Sequence, residues 1–196
     1  MQKLPACPVF FASRKRCGVY KTEGIILKAT DQAELDRLLT VYTKERGKIL
    51  VRAISARKRE SKLKGLLVPF GWSQFLLARS RTIDIVTDVQ PVDNFSHLRQ
   101  GLERLALAFY FSELIDRLVV APEPDEALWQ LILKAFEVLD DLRYQPQKIK
   151  TAFETRLLEV LGYGQAPGES PLDFIQDLVG QEIKSVSFLR ELSFIN

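Results

Sequence analysis

The chain is poor in the residues that most often hold metals or form covalent intermediates. It has two cysteines, Cys7 and Cys17, and a single histidine, His97, in 196 residues. Nine residues separate the cysteines, which matches no zinc or redox spacing, and Cys and His together cannot supply four zinc ligands. No phosphate-cradling glycine loop and no Gly-x-Ser-x-Gly turn is present, and His97 has no cysteine or serine partner in a recognisable pattern. Asp140 and Asp141 are adjacent, so on a helix their carboxylates diverge and read as a solvated face rather than an acid/base pair. These absences point away from an enzyme. No apolar run approaches the roughly 20 residues that span a bilayer. The stretch Pro8-Val9-Phe10-Phe11-Ala12 is shorter than a signal-peptide core and is followed, not preceded, by its charges. The expectation is a soluble cytoplasmic protein.

What is present is charge, unevenly placed. Residues 1–93 hold 18 Lys and Arg against 9 Asp and Glu, a balance of +9, whereas residues 94–196 hold 10 against 16, a balance of −6. A modest net charge of +3 therefore conceals a dipolar molecule. A basic half attracts polyanions, which leaves nucleic acid and an anionic membrane surface as partners; the acidic half argues against a protein coated in positive charge.

The hydrophobic period changes along the chain as well. From Tyr20 the sequence reads as strands: Gly24–Ala29, Asp36–Thr43, Lys48–Ile54, Leu66–Ala78 and Thr82–Val89, with Lys44-Glu45-Arg46-Gly47 as a hairpin connection. Pro69 and Gly71 mark a bulge or an edge. In the fifth strand Ile83, Ile85, Thr87 and Val89 alternate with Asp84, Val86 and Asp88. Five short strands in about 70 residues suit a small barrel of the OB type. After Phe95 the period becomes helical. One helix is expected over Ser96–Val120, with Leu98, Leu102, Leu105 and Phe109 on one stripe and Leu107, Phe111, Leu114 and Leu118 on a second, apolar on much of its circumference. A second carries Leu128, Ile132, Phe136 and Leu139, and a third Ile149, Phe153, Leu157 and Leu161. A fourth opens on Ser170 as N-cap with Pro171 and Asp173. A last segment covers Ile183–Leu192. The predicted fold class is α+β: a leader over residues 1–18, a barrel over 19–94 and an all-helical part over 95–196.

The most informative stretch is Ala56-Arg57-Lys58-Arg59-Glu60-Ser61-Lys62-Leu63-Lys64-Gly65, five cations and one acid between two strands. With Lys48 and Arg52 on the preceding strand, and Arg46 before it, these side chains are placed to line one side of the barrel and neutralise phosphates. On charge alone the stretch reads equally as a solvated, disordered loop; the +9 balance of its half turns the reading toward binding. Tyr20, Tyr42, Phe70, Trp72 and Phe75 raise the question of base stacking. Phe70 and Phe75 lie in an apolar run and are read as core.

The ordered string of these features resembles the bacterial RecO family of recombination mediators. The resemblance is carried by Tyr20-Lys21-Thr22-Glu23-Gly24-Ile25-Ile26-Leu27, Glu34-Leu35-Asp36-Arg37-Leu38-Leu39-Thr40, Arg46-Gly47-Lys48 and the Ala56-Arg57-Lys58 loop. It continues through Leu67-Val68-Pro69-Phe70, Leu105-Ala106-Leu107-Ala108-Phe109-Tyr110 with Glu113-Leu114, Phe153-Glu154-Thr155-Arg156-Leu157-Leu158 with Leu161-Gly162-Tyr163, and Lys184-Ser185 with Phe188-Leu189-Arg190-Glu191-Leu192. No one motif is diagnostic; their order and spacing are. The resemblance implies an N-terminal OB-fold and a helical domain without catalytic turnover. It implies binding to single- and double-stranded DNA, strand annealing, and action with RecR to help RecA replace single-strand-binding protein (SSB), in the cytoplasm at the nucleoid. It places the DNA contacts on Lys48, Arg52, Arg57, Lys58, Arg59, Lys62 and Lys64, and gives the acidic C-terminal tail of SSB to the helical domain. Many relatives insert a four-cysteine zinc site after the Leu-Gly-Tyr segment; here no cysteine follows Tyr163, so no zinc finger and no cofactor are expected. The other readings of the composition are an OB-fold module that binds a protein partner and an RNA-binding protein.

Overall fold

A computed structural model describes residues 18–120, 122–164 and 170–192. Cys7, Cys17 and the leader up to residue 17 lie outside the described residues. The described chain begins with five strands, β1 (Val19–Gln32), β2 (Asp36–Thr43), β3 (Gly47–Ala53), β4 (Trp72–Ala78) and β5 (Asp84–Asp93). They close into a barrel in the order β1-β2-β3-β5-β4, antiparallel throughout except for a short parallel contact of Val51 and Arg52 with Asp84 and Ile85. This is the strand order of an OB-fold.

β1 closes the barrel because it is long enough to pair twice. Its first half runs against β4, from Val19 opposite Ala78 to Ile25 opposite Trp72, and its second half against β2, from Gly24 opposite Thr43 to Gln32 opposite Asp36. Gly24 stands where the two pairings overlap. A Cβ there would meet Val41 Cγ1 at 2.7 Å and the Tyr42 carbonyl at 3.0 Å, so the close passage requires a residue without a side chain. The barrel interior is filled by Ile26, Leu39, Val41, Val51, Phe75, Leu77, Val86 and Val89.

Two of the register irregularities in the strand pairings correct the simple alternation expected from the sequence. In β5 the register skips Thr87, with Asp88 opposite Leu76 but Val86 opposite Leu77. The bulge sends both Val86 and Val89 into the core, although they were assigned to opposite faces,. In β1 the register skips Leu27. Leu27 and Lys28 therefore both leave the barrel interior, while Ile26 and Ala29 pack into it. The fourth strand is also shorter than predicted: Leu66–Gly71 is a turn in which Phe70, buried in the core, takes a left-handed φ of 67°.

Five helices follow: α1 (Leu102–Leu118), α2 (Glu126–Asp140), α3 (Pro146–Val160), α4 (Pro171–Val179) and α5 (Lys184–Glu191). α1 is central and packs against α2, α3, α5 and β1. It is shorter than the predicted 96–120; Leu107, Phe111 and Leu114 of the second predicted stripe are buried, while Leu102 and Phe109 of the first are half exposed. Ser170 does occupy the N-cap of α4, but its side chain makes no capping bond. Asp140 and Asp141 are not a free solvated face. Asp140 accepts the Leu98 N–H at 2.8 Å and Asp141 is held by Arg143, so both are tied into the end of α2.

The helical core continues into the outer wall of the barrel: Ile25, Leu27, Tyr42, Phe70 and Phe95 belong to the same buried cluster as Phe111, Trp129, Ile132 and Phe136. Trp72 of β4 meets Trp129 of α2 edge to face at 6.5 Å. The Tyr42 hydroxyl donates to the Asp125 carbonyl at 3.4 Å. Gly47, at φ 64°, lies so close to Glu123 that a Cβ would run into its backbone carbonyl. Among the described residues no helix is long and apolar enough to cross a membrane.

Candidate nucleic-acid interface

The basic stretch after β3 is an ordered cap on the barrel. Four backbone hydrogen bonds of the i to i+3 kind follow one another, from Lys58 to Ser55, Ser61 to Lys58, Lys64 to Ser61 and Leu66 to Leu63, each 3.1 Å. The chain thus descends through successive turns. Left-handed φ values at Ser55 and Gly65 begin and end the series, and the Ser55 N–H donates to Asp36 at 2.8 Å. Ala56 and Leu67 are buried among the barrel's interior side chains, with Leu63 and Leu66 half-buried beside them. Because those positions fill the end of the barrel, the residues between them must face water. Arg57, Lys58, Arg59, Lys62 and Lys64 are all exposed.

The seven residues singled out in the sequence divide into three groups. Among the described residues Lys58, Arg59, Lys62 and Lys64 have no ion-pair partner. Arg57 is partly engaged, whereas the buried Arg52 Nε has no hydrogen-bond partner among the described residues. The Arg57 guanidinium lies 3.5 Å from Asp31, which also holds Arg37 at 3.1 Å, and donates to the Glu34 carbonyl at 3.3 Å. Exposed pairs of this kind contribute about 0–1 kcal/mol, so Asp31 holds Arg57 only weakly. Arg52 projects from the outer face of β3 and is half-buried. Lys48 stands apart and corrects the expected grouping: its ammonium is turned onto α1, 2.5 Å from the Asp116 carbonyl and 3.4 Å from its carboxylate. It ties the barrel to the helices instead of facing a ligand.

Arg46, grouped by sequence with the cap cations, belongs instead to a second cationic group around Tyr20. The Arg46 guanidinium stacks over the Tyr20 ring at 4.0 Å, with Arg79 at 5.5 Å. The Tyr20 hydroxyl donates to Asp84 at 2.6 Å. Burial and that hydrogen bond push the Tyr20 phenol up to about 12, so it stays a neutral donor at physiological pH,. Residues 20, 46, 79 and 84 come from four segments that only barrel closure brings together, and no local pattern marks them. The other aromatic residues are structural: Tyr42, Phe70 and Phe75 are buried, and Trp72 packs on Trp129.

A closed five-stranded barrel with a cationic cap, fused to a helical module, defines an OB-fold protein built to present positive charge at one end of its barrel. Comparison with known proteins narrows this class. The family described as Recombination protein O N terminal matches residues 18–95, and Recombination protein O C terminal matches residues 99–166. DNA repair protein RecO of Pelotomaculum thermopropionicum is 37% identical over 145 residues, and that of Desulforamulus reducens 35% over 144. The same protein of Dehalococcoides mccartyi is 38% identical over 144 residues. Each alignment takes in 74% of this chain and 56% of the relative, so the chain spans about half the length of the curated relatives it matches. The chain belongs to the RecO family of DNA repair proteins.

Proposed function

We propose that the protein is a non-catalytic DNA-binding recombination mediator that seats the sugar-phosphate backbone on the barrel cap. Lys58, Arg59, Lys62 and Lys64 make the primary contacts, and Arg57 and Arg52 extend them. The observation that carries this reading is the ordered cap: its apolar residues are fixed in the barrel, so its unpaired cations are held at one exposed end. Neutralising two strands on such a surface lowers their mutual repulsion, which is the physical requirement for annealing. The same reading, by likeness to the family, gives RecR and the C-terminal tail of SSB as partners and places the protein upstream of RecA loading, at the nucleoid.

Salt dependence is the direct test. Single-strand affinity is expected to be micromolar or tighter at low salt. It should fall steeply between about 50 and 200 mM salt, as about 6 phosphate contacts require. Replacing Lys58, Arg59, Lys62 and Lys64 together with Ala should reduce the logarithmic salt slope by about 3 to 4 and abolish annealing, with an unchanged circular dichroism spectrum. A flat salt response of the wild type, or normal annealing by that variant, would remove the cap from the mechanism.

A further inference from the structure

Between the barrel and the helices lies a cleft of about 740 Å³ whose lining mixes two aromatic rings with cations. Its barrel wall is Leu27, Lys28 and Pro69, and its helical wall includes Phe109 of α1 and Lys184 and Phe188 of α5. The β1 bulge creates the barrel wall, because without it Lys28 would point into the core. Phe109 is 51% exposed, and its ring is held edge-on against buried Phe70 at 4.9 Å. The acids of the lining are already engaged. Glu113 accepts the Lys184 and Ser185 N–H groups and the Ser185 hydroxyl, and Asp116 receives Lys48. Among the described residues Lys28 and Lys184 have no ion-pair partner, so the uncommitted charge of the cleft is positive. The Ser112 hydroxyl also lines it, 5% exposed and without a hydrogen-bond partner.

The cleft is continuous with the outer face of the barrel. Lys28 stands opposite Thr40, and Thr40 opposite Leu50; in the neighbouring row Thr30, Leu38 and Arg52 face one another across the same three strands. Arg52 and Lys28 are thus two strands apart, about 10 Å in the hydrogen-bonding direction, and Arg52 precedes the cationic cap on the chain. Cations therefore follow one another from the cap, over Arg52, to Lys28 and Lys184 at the cleft. A polymer with one negative charge per unit and a flat ring on each unit fits both the track and the cleft. A short acidic peptide would satisfy only the cleft.

We propose that this cleft receives an unpaired base of single-stranded DNA that is held by its backbone on the cap, stacking the base on Phe109 and placing its flanking phosphates at Lys28 and Lys184. The proposal rests on DNA binding at the cap. It adds a preference for single strands, because a base within a duplex cannot leave its stack to reach Phe109 without unpairing. Exposed aromatic rings beside cations are how single-strand binders hold bases.

The test uses the full chain, a fluorescein-labelled oligothymidylate and a duplex of equal length, with affinity read by anisotropy across a salt series. Phe109→Ala is expected to weaken single-strand binding about ten-fold, leaving the salt slope and duplex binding unchanged. Lys28→Ala, at an exposed position, should lower the single-strand salt slope by about 1 and serves as the second variant should Phe109→Ala perturb folding. If the cap variant loses DNA while both cleft variants bind single strands as the wild type does, the cap reading stands and the cleft proposal falls. Equal losses on single strand and duplex, or a wild type that binds neither, overturn it. So does an Asp- and Phe-rich peptide that binds the wild type but not Phe109→Ala and leaves oligothymidylate affinity unchanged.

Discussion

Lys150, Glu154 and Tyr110 form a polar group inside the helical core. The Lys150 ammonium lies 2.7 Å from Glu154 Oε1, and the Tyr110 hydroxyl donates to the same oxygen at 2.5 Å. Burial, reinforced by the Glu154 charge, holds the Tyr110 phenol well above the ordinary tyrosine range, so it remains a donor at any accessible pH,. Removing one member of a buried pair leaves a charge without compensation. Lys150→Met should therefore cost about 3–5 kcal/mol in urea denaturation, and Lys150→Met combined with Glu154→Leu should recover most of it. Gly47→Ala adds strain at a left-handed φ and a clash with Glu123; a loss of more than about 1 kcal/mol is expected in the same measurement. Some of this scale was legible in the sequence. Phe70 and Phe75 read correctly as core because they sit in an apolar run, whereas nothing local to Glu154 signals that a lysine one turn earlier and a distant tyrosine enclose it.

Among the elements, α5 is anchored by Glu113 of α1, whose carboxylate caps its first turn through Lys184 and Ser185 and pairs with Arg117 at 3.7 Å. Burial opposes its ionisation, but the Ser185 and Lys184 hydrogen bonds and Arg117 outweigh that and hold its carboxyl below the ordinary range. A lowered folded-state pKa stabilises the native state above the unfolded value of about 4.3 for glutamate, and the contribution is lost as pH falls through the folded value. Glu113→Gln should therefore be less stable than the wild type near neutral pH, the gap closing below about pH 4 in thermal melts. Element types were largely legible because period 2 gives way to period 3.6 at Phe95. The bulges at Leu27 and Thr87 were not, since a skipped residue depends on the partner strand rather than on local composition. The cap was half legible. Its charge was plain, but Ala56, Leu63, Leu66 and Leu67 follow no period that would show them closing a barrel.

For the molecule as a whole, the outer wall of the basic barrel and the acidic helices share one buried cluster, beside the barrel's own interior. The barrel and the helices should therefore unfold in one cooperative step, with calorimetric and spectroscopic midpoints coinciding; two separated transitions would contradict a shared core. Lys48 belongs to this junction. Lys48→Met should lower stability while leaving any salt slope of DNA binding unchanged, the opposite of the outcome proposed for the cap lysines. The grouping of Lys48 with the cap followed from sequence proximity, and only the position of Asp116 on a helix 68 residues away separates them.

The chain's two tryptophans, Trp72 and Trp129, sit one on each side of that junction. Indoles held edge to face at this distance couple their electronic transitions, so the protein carries an intrinsic optical gauge. Its ultraviolet dichroism should register any parting of barrel from helices with no dye attached.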